Sequence, residues 1–138
     1  METHPYDHTD LDWLTPSTRG WFDTQSLRRM VDPALSVSFY EADTYLASAG
    51  IYQLWPGVYE AWLVVQTPPR HWWGFVGAIR RALALGERMT QAHRIQAYSL
   101  ASFPQGIVLA RRLGFQLEGV LRCATPTRDD IHIYARVR

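Results

Sequence analysis

Two adjacent prolines, Pro68 and Pro69, separate two kinds of hydrophobic periodicity, and this separation most constrains the fold. Before the prolines, residues 36–66 alternate between polar and apolar or run continuously apolar, as strands do. After them, apolar residues recur at helical spacing over residues 71–91, which predicts a long amphipathic helix. Strands followed by a helix and by further strands predict a domain of the α/β or α+β class.

The segment before the prolines predicts three short strands joined by turns. The strands cover residues 36–40, 44–53 and 59–66, and glycine tolerates a positive φ in the turn at residues 55–58. Strands joined by such short connections pair with their sequence neighbours. The sequence therefore predicts an antiparallel meander.

The residues beyond the long helix predict a strand, a second helix and two further strands. Residues 95–100 are strand-like, and a helical crossover places them parallel to the strand before the prolines. Ser102 and Gln105 have the spacing of a capping box for a helix over residues 107–113. Gly114 suits a left-handed position after that helix. The final strands are predicted over residues 115–121 and 131–137.

The N-terminal segment carries weaker signals. Residues 1–20 are polar, are interrupted by Pro5 and Pro16, and predict an irregular lead-in. Residues 21–30 can form a short helix, which begins a domain over residues 21–138. The total of 138 residues fits one domain of ordinary size.

Charge is distributed unevenly along the chain. Residues 1–69 contain three Arg and nine acidic residues, a net charge of −6, whereas residues 70–138 contain eleven Arg and four acidic residues, a net charge of +7. Arg pairs are compatible with nucleic-acid binding, but the overall charge of +1 and the lack of a nucleic-acid motif argue against it. We interpret these pairs as solvated helix faces; they are Arg28-Arg29, Arg80-Arg81 and Arg111-Arg112.

The cysteine count, the lack of long apolar stretches and the positions of the histidines argue against several classes of protein and against a metal site. The single cysteine, Cys123, can form no internal disulfide, which argues against a small secreted scaffold. No apolar stretch is typical of a signal peptide or a membrane span, which predicts a cytoplasmic protein. His4 and His8 have the i, i+4 spacing of metal ligands but lie in a segment without helical periodicity, so no metal site is expected.

A short motif near the C-terminus resembles a known superfamily. Leu113-Gly114-Phe115 is followed by Glu118-Gly119 and then by Arg122. Together with the order of predicted elements, this string resembles the GNAT superfamily of N-acetyltransferases from about residue 36 to the C-terminus. The resemblance implies a single α/β (α+β) domain with a mixed central sheet of about six to seven strands and helices on both faces.

The resemblance also implies acetyl-CoA as the acyl donor and an amine as the acceptor. The backbone around Leu63, Val64 and Val65 would hold the pantetheine arm. The pyrophosphate would meet the segment after that strand, whose residues are Arg70, His71, Trp72, Trp73 and Gly74. This segment departs from the family's glycine-rich loop, because Pro68 and Pro69 lack N–H donors and the segment holds a single glycine.

Glu60 is the acidic residue best placed in sequence to act as a general base. In the family, a carboxylate on the middle strands often takes the proton of the ammonium through water. The alternative interpretation of Glu60 is a solvated carboxylate at the end of a strand. On the second helix, the family's usual residues are replaced by Phe103, Gly106 and Ala110. Ala110 excludes a general acid at its position, so a departing thiolate would take a proton from water or from another residue.

A closer resemblance is to small GNAT-like proteins encoded by bacteriophages, including the internal virion protein A type of short-tailed phages. It rests on chain length, on the Ala-Trp-Leu-Val-Val strand at residues 61–65, on the absent glycine loop and on the Arg-rich helix. It implies an alternative function, in which a catalytically silent fold serves as a virion, assembly or host-interaction protein. The protein would then reside in the virion rather than in the cytoplasm of the bacterial host.

Overall fold

Seven strands form one mixed sheet in the computed structural model, which describes residues 1–13 and 28–138. In chain order they are β1 (Glu2–Pro5), β2 (Ser36–Glu41), β3 (Thr44–Trp55), β4 (Val58–Val65), β5 (Arg94–Leu100), β6 (Gln116–Leu121) and β7 (Ile131–Val137). Their order across the sheet is β1-β2-β3-β4-β5-β7-β6. β4 and β5 are parallel, and the other neighbouring strands are antiparallel. The predicted meander over β2, β3 and β4 and the parallel crossover to β5 are confirmed.

Two α-helices cover one face of this sheet. They are α1 (Trp72–Thr90), which connects β4 to β5, and α2 (Pro104–Arg112), which connects β5 to β6. Both contribute to one apolar cluster, in which Phe75 of α1 and Leu109 of α2 lie with Phe39 of β2. α1 confirms the helix predicted over residues 71–91. Neither helix, nor any other in the described residues, is long and apolar enough to cross a membrane.

The N-terminal segment covers part of the opposite face. β1 pairs with β2 along the edge of the sheet, and a 3-10 helix (His8–Trp13) places Leu11 in an apolar cluster with Tyr45 of β3. Asp10 ties this helix to the sheet, because its Oδ2 accepts a hydrogen bond from Ser38 Oγ at 2.7 Å. Helical structure therefore lies on both faces of the sheet, as predicted.

This segment differs from its sequence prediction. An irregular lead-in is predicted over residues 1–20, whereas β1 and the 3-10 helix occupy residues 2–5 and 8–13. β1 is exposed and contains Pro5, so neither alternation nor β-propensity marks it as a strand. Of the helix predicted over residues 21–30, residues 28–30 are helical and the others lie outside the described residues.

The start of α2 also differs from its prediction. The N-cap is Phe103, which makes no side-chain capping hydrogen bond, and Pro104 occupies the first turn. Ser102 Oγ donates instead to the carboxylate of Asp129, in the loop between β6 and β7. The predicted capping box is wrong because a partner distant in sequence takes the hydroxyl of Ser102. Gly114 has φ 84° after the last turn, which confirms the predicted left-handed position.

β4 and β5 pair over a short stretch and then separate. Val58, Tyr59 and Glu60 of β4 lie opposite Arg94, Ile95 and Gln96 of β5. Beyond these pairs, β4 remains paired with β3 up to Val65, and β5 remains paired with β7 up to Leu100. The facing edges of residues 61–65 and 97–100 therefore have no strand partner in the described sheet. This separation opens the sheet just before β4 leads into α1.

Candidate functional site

A cavity of about 770 Å³ lies where β4 and β5 separate. β4 contributes Leu63 and Val65 to its lining, β5 contributes Ala97 and Leu100, and α2 contributes Leu109. Its size and its mainly apolar walls are typical of sites that bind small organic molecules.

Gly106 allows α2 to approach β5 at the wall of this cavity. A Cβ on Gly106 would lie 2.6 Å from Ser99 Oγ and 2.9 Å from Phe103 Cδ1, closer than such atoms approach each other. The departure from the family pattern at Gly106 therefore has a packing cause. A side chain at this position would move α2 away from the cavity or displace its neighbours.

Glu60 lies on β4 at the last residue pair before the strands separate, and its side chain lines the cavity. Burial raises the pKa of Glu60 above its ordinary value, and a hydrogen bond with Gln96 lowers it in part. Tyr52, directly opposite on β3, donates its hydroxyl to Glu60 Oε2. A half-buried carboxyl group with a raised pKa, held by two neighbours beside an apolar cavity, is suited to accept a proton near neutral pH.

A chain of polar contacts orients the amide of Gln96. Arg94 Nε donates to Gln96 Oε1 at 3.1 Å, and the Arg94 guanidinium forms a bidentate pair with Glu118 at 2.6 and 3.1 Å. Because the carbonyl oxygen of Gln96 is engaged, its NH₂ group is left for Glu60 and for Tyr98, whose hydroxyl lies 3.4 Å from Nε2. Arg94 lowers the pKa of Glu118, so Glu118 remains its ionised partner.

Sequence reasoning missed Tyr52 and Gln96 as partners of Glu60. The three residues belong to three different strands and meet only through the register of β3, β4 and β5. No spacing along the chain encodes that register. An acidic residue in an otherwise apolar strand was the one available signal, and it marked Glu60 alone.

The residues expected along the pantetheine arm, Leu63, Val64 and Val65, all line the cavity. Leu63 and Val65 pack with the cluster beneath α1, whereas Val64 lies in the cluster on the opposite face. All three residues belong to the backbone edge of β4 that faces β5. This edge offers N–H and C=O groups to an extended ligand in the way that a sheet edge accepts an additional strand.

The residues expected at the pyrophosphate precede α1 or form its first turn, and they lie outside the cavity lining; they are Arg70, His71, Trp72, Trp73 and Gly74. The first hydrogen bond of the helix runs from Phe75 N–H to the His71 carbonyl at 3.0 Å. The N–H groups of residues 72–74 therefore have no acceptor within the helix. The first turn contains no acidic residue. The positive end of the helix dipole is thus unopposed within α1 and suits an anion.

Two charged side chains act on this helix N-terminus in opposite ways. Glu41 Oε2 accepts a hydrogen bond from Arg70 N–H at 3.2 Å, so the backbone donor two residues before the helix is already bound to a carboxylate. Arg112 of α2 lies over the Trp73 ring, with its guanidinium carbon 4.9 Å from the ring centroid, and brings a cation to the same end of α1. The first turn of α1 therefore offers donors for one phosphate group. It lacks the row of backbone donors with which a glycine-rich loop holds a pyrophosphate.

Acetyl-CoA therefore fits the described residues best at its thioester end. The apolar cavity and the unpaired edge of residues 61–65 suit an acylated pantetheine arm. Its phosphates would depend on the first turn of α1 and on Arg112. Residues 1–13 and 28–138 contain no group of His, Cys, Asp and Glu side chains that could hold a metal ion.

Comparison with known proteins identifies the fold. No protein-family model matches the sequence, and no curated protein matches it. The structure is similar to an acetyltransferase of the GNAT family from Bacillus anthracis (TM-score 0.74, 14% identity, 98% of this chain and 93% of that chain). It is similar to the ribosomal-protein-alanine N-acetyltransferase from Brucella melitensis (TM-score 0.78, 14% identity, 100% of both chains). It is also similar to a variant of the spermidine N-acetyltransferase from Vibrio cholerae (TM-score 0.72, 17% identity, 99% and 95%).

These likenesses extend over nearly the whole of each chain, at identities that establish the fold and not the activity. The protein therefore has the GNAT fold, as the Leu-Gly-Phe motif and the element order implied.

Proposed function

We propose that this protein, a chain with the GNAT fold, is an N-acetyltransferase that transfers an acetyl group from acetyl-CoA to an amine. The observation that carries the proposal is the position of Glu60. A carboxyl group with a raised pKa lies at the point where β4 and β5 separate, beside a cavity that suits an acylated arm. Acetyl-CoA would supply an activated acyl group, and the chain would supply orientation and proton transfer.

Glu60 is the proposed general base. An amine is protonated near neutral pH, and its nitrogen must lose a proton before it can attack a carbonyl carbon. Glu60 accepts that proton directly or through one water. Tyr52 and Gln96 hold the carboxylate beside the cavity. The backbone edge of residues 61–65 positions the donor arm, and the first turn of α1 binds a phosphate.

Calorimetric titration with acetyl-CoA tests the binding part of this proposal. We expect saturable binding and a raised melting temperature, because a ligand at a hundred times its dissociation constant adds about 2.7 kcal/mol to the free energy of unfolding. No stabilisation at millimolar acetyl-CoA would overturn the proposal.

Glu60→Gln tests the catalytic part. We expect turnover to fall by about 100-fold or more while the dissociation constant for acetyl-CoA changes little, because the amide cannot accept a proton. Asp43→Asn, at an exposed acidic residue in the turn between β2 and β3, is the control and should retain activity. Equal turnover in wild type and Glu60→Gln would remove Glu60 from the role of base.

The second candidate function is a catalytically silent GNAT-like protein of a bacteriophage, acting in virion assembly or on a host protein. The observation that favours it is the altered phosphate segment, in which Glu41 accepts the Arg70 N–H and Pro68-Pro69 supplies no donors. Under this proposal the protein occurs bound to a partner or within a virion, whereas the enzyme acts in the bacterial cytoplasm. Fractionation of infected cells, with detection of the chain in purified particles, distinguishes the two.

A further inference from the structure

The alternation of side chains along β4 places Glu60 on the face of the sheet opposite α1 and α2. Its neighbours in the chain, Tyr59 and Ala61, pack in an apolar cluster with Leu83 of α1. Trp62, two residues beyond Glu60, packs instead against the cluster on the opposite face. Glu60 shares the face of Trp62, so its carboxylate meets a ligand that approaches from the side opposite the two helices.

Two aromatic rings flank the opening beside Glu60 on this face. Glu60 and Gln96 form the last residue pair before β4 and β5 separate. Two residues further along each strand, on the same face, come Trp62 of β4 and Tyr98 of β5. Both line the cavity, and Tyr98 is 49% exposed. The ring of Trp62 is held by an edge contact with Tyr6, with the centroids 5.7 Å apart. A molecule that reaches Glu60 from this face therefore passes an indole ring on one strand and a phenol ring on the other.

Glu60 is the only charged side chain among the described residues that line the cavity. Most of the other lining side chains are aliphatic or aromatic. The carboxylate at the far end of the polar chain from Gln96, that of Glu118, is paired with Arg94 and lines a second, smaller cavity. One ammonium group can therefore be paired at Glu60. A second ammonium group in the same molecule would enter the cavity without a counter-charge, which is costly.

We propose that the acceptor is a primary monoamine with an aromatic or other apolar body, and that Trp62 and Tyr98 select it. This inference rests on the proposed acetyltransferase function and names the substrate class of its acceptor site. The ammonium group pairs with Glu60, and the two rings contact the carbon skeleton beside it. The faces of these rings also attract a nearby cation. Diamines and polyamines are poor acceptors, because the lining offers their further ammonium groups no partner.

A pair of amines that differ by one charge tests the preference for a monoamine. Hexylamine and hexamethylenediamine have the same carbon chain, and the second carries an amino group at both ends. We expect kcat/KM of wild type to be at least about tenfold higher for hexylamine, because the second ammonium group of the diamine must lose water without gaining a partner. Phenethylamine, whose ring can contact Trp62 and Tyr98, should be acetylated at least as efficiently as hexylamine.

Tyr98→Ala tests the role of the aromatic rings. Tyr98 is half-exposed, so the fold should tolerate the substitution. We expect the KM for phenethylamine to rise by about three- to tenfold, with little change in the KM for acetyl-CoA. Tyr98→Phe keeps the ring and should bind phenethylamine more tightly than Tyr98→Ala does. Trp55→Ala is the matched control, because it removes an exposed aromatic ring at the end of β3 that does not line the cavity.

Calorimetry without acetyl-CoA makes the same comparison independently of turnover. Wild type and Trp55→Ala should bind phenethylamine more tightly than hexamethylenediamine. Tyr98→Ala should lose most of that difference in affinity, because the contact with the ring is removed.

The outcomes separate this inference from the function on which it rests. If wild type does not bind acetyl-CoA, the acetyltransferase proposal fails and the acceptor assignment fails with it. If wild type binds acetyl-CoA but acetylates neither monoamine, or acetylates hexamethylenediamine as efficiently as hexylamine, the acceptor assignment is overturned while donor binding stands. Equal KM values for phenethylamine in Tyr98→Ala and Trp55→Ala would overturn the role of Tyr98. A rise in the KM values for both acetyl-CoA and phenethylamine in Tyr98→Ala would also overturn it, since it would show a general structural effect.

Discussion

Glu60 owes its chemistry to its neighbours across the sheet. Its carboxylate is half-buried between β3 and β5, and that burial is the main cause of its raised pKa. The hydrogen bond from Gln96 acts in the opposite direction, because it favours the ionised form. Tyr52 donates a further hydrogen bond to Oε2 of the same carboxylate. The balance keeps Glu60 able to accept a proton while holding it beside the cavity.

Tyr52→Phe should therefore raise the pKa of Glu60 further. The variant loses a hydrogen bond to the charged form, so deprotonation of the carboxyl group becomes harder. If deprotonated Glu60 is the base, turnover rises as pH increases through its pKa, and this acidic limb should move to higher pH in the variant. The pH dependence of kcat/KM for the free enzyme measures the shift.

Tyr40→Phe is the control for this measurement, because Tyr40 donates to Asp10 rather than to Glu60. An acidic limb that stays in place in Tyr52→Phe, or moves to lower pH, would contradict the assignment of Tyr52. A limb that moves equally in both variants would also contradict it.

At the scale of secondary-structure elements, hydrophobic periodicity along the chain predicts the helices and strands whose formation depends on local packing. The apolar repeat predicts α1, and alternation or apolar runs predict β2, β3 and β4 close to their observed bounds. Prediction fails where a distant partner decides the structure. Ser102 reads as a helix cap but bonds to Asp129, and β1 is a strand only because β2 offers it an edge. Neither partner can be identified from spacing along the chain.

Glu41→Gln tests whether the N-terminus of α1 binds a phosphate. The substitution removes a negative charge beside Arg70 and keeps an oxygen that can accept its N–H. A single charge at a helix terminus contributes about 0.3–1 kcal/mol, so the affinity for acetyl-CoA should increase by up to about fivefold. Calorimetry at low ionic strength measures the change, and Asp43→Asn in the same hairpin is the control.

If the loss of any nearby negative charge were sufficient, Glu41→Gln and Asp43→Asn would raise the affinity for acetyl-CoA equally. That result, or no change in Glu41→Gln, would argue against phosphate binding at α1. An increase confined to Glu41→Gln and lost at high salt would support it.

At the scale of the whole molecule, the boundary between the acidic and the Arg-rich parts of the chain coincides with the position of the cavity. β1 to β4 lie in the acidic part of the chain, residues 1–69, and α1, α2 and the later strands lie in the Arg-rich part, residues 70–138. The cavity lies where β4 and β5 separate, which is the boundary between these two parts. A site at this boundary suits the proposed reaction, whose amine is cationic and whose acyl donor is anionic.

Only those residues of the candidate site that their sequence neighbours mark out were predictable from the sequence. An acidic residue in an apolar strand marks Glu60, and the turn into α1 marks the phosphate segment. The meeting of Glu60 with Tyr52 and Gln96 depends on how β3, β4 and β5 are ordered and paired. That strand order is a property of the folded chain.

The attachment of the N-terminal segment to the sheet depends on Asp10. Its Oδ2 accepts hydrogen bonds from Ser38 Oγ at 2.7 Å and from Asp7 N–H at 3.0 Å, and its Oδ1 accepts one from Tyr40 at 3.1 Å. Ser38 is fully buried, and its hydroxyl continues this network to Ser48 at 2.8 Å. Removal of the carboxylate would leave buried hydroxyl groups without their acceptor.

Asp10→Ala should therefore lower the free energy of unfolding by about 2–3 kcal/mol, the cost of losing hydrogen bonds to a charged group. Asp12→Ala is the matched control, because Asp12 lies on the same 3-10 helix but is exposed and pairs with Arg28 at the surface. It should cost about 0–1 kcal/mol. Urea unfolding monitored by tryptophan fluorescence measures both variants. Equal effects of the two substitutions would show that the segment contributes through general charge rather than through the network at Ser38 and Tyr40.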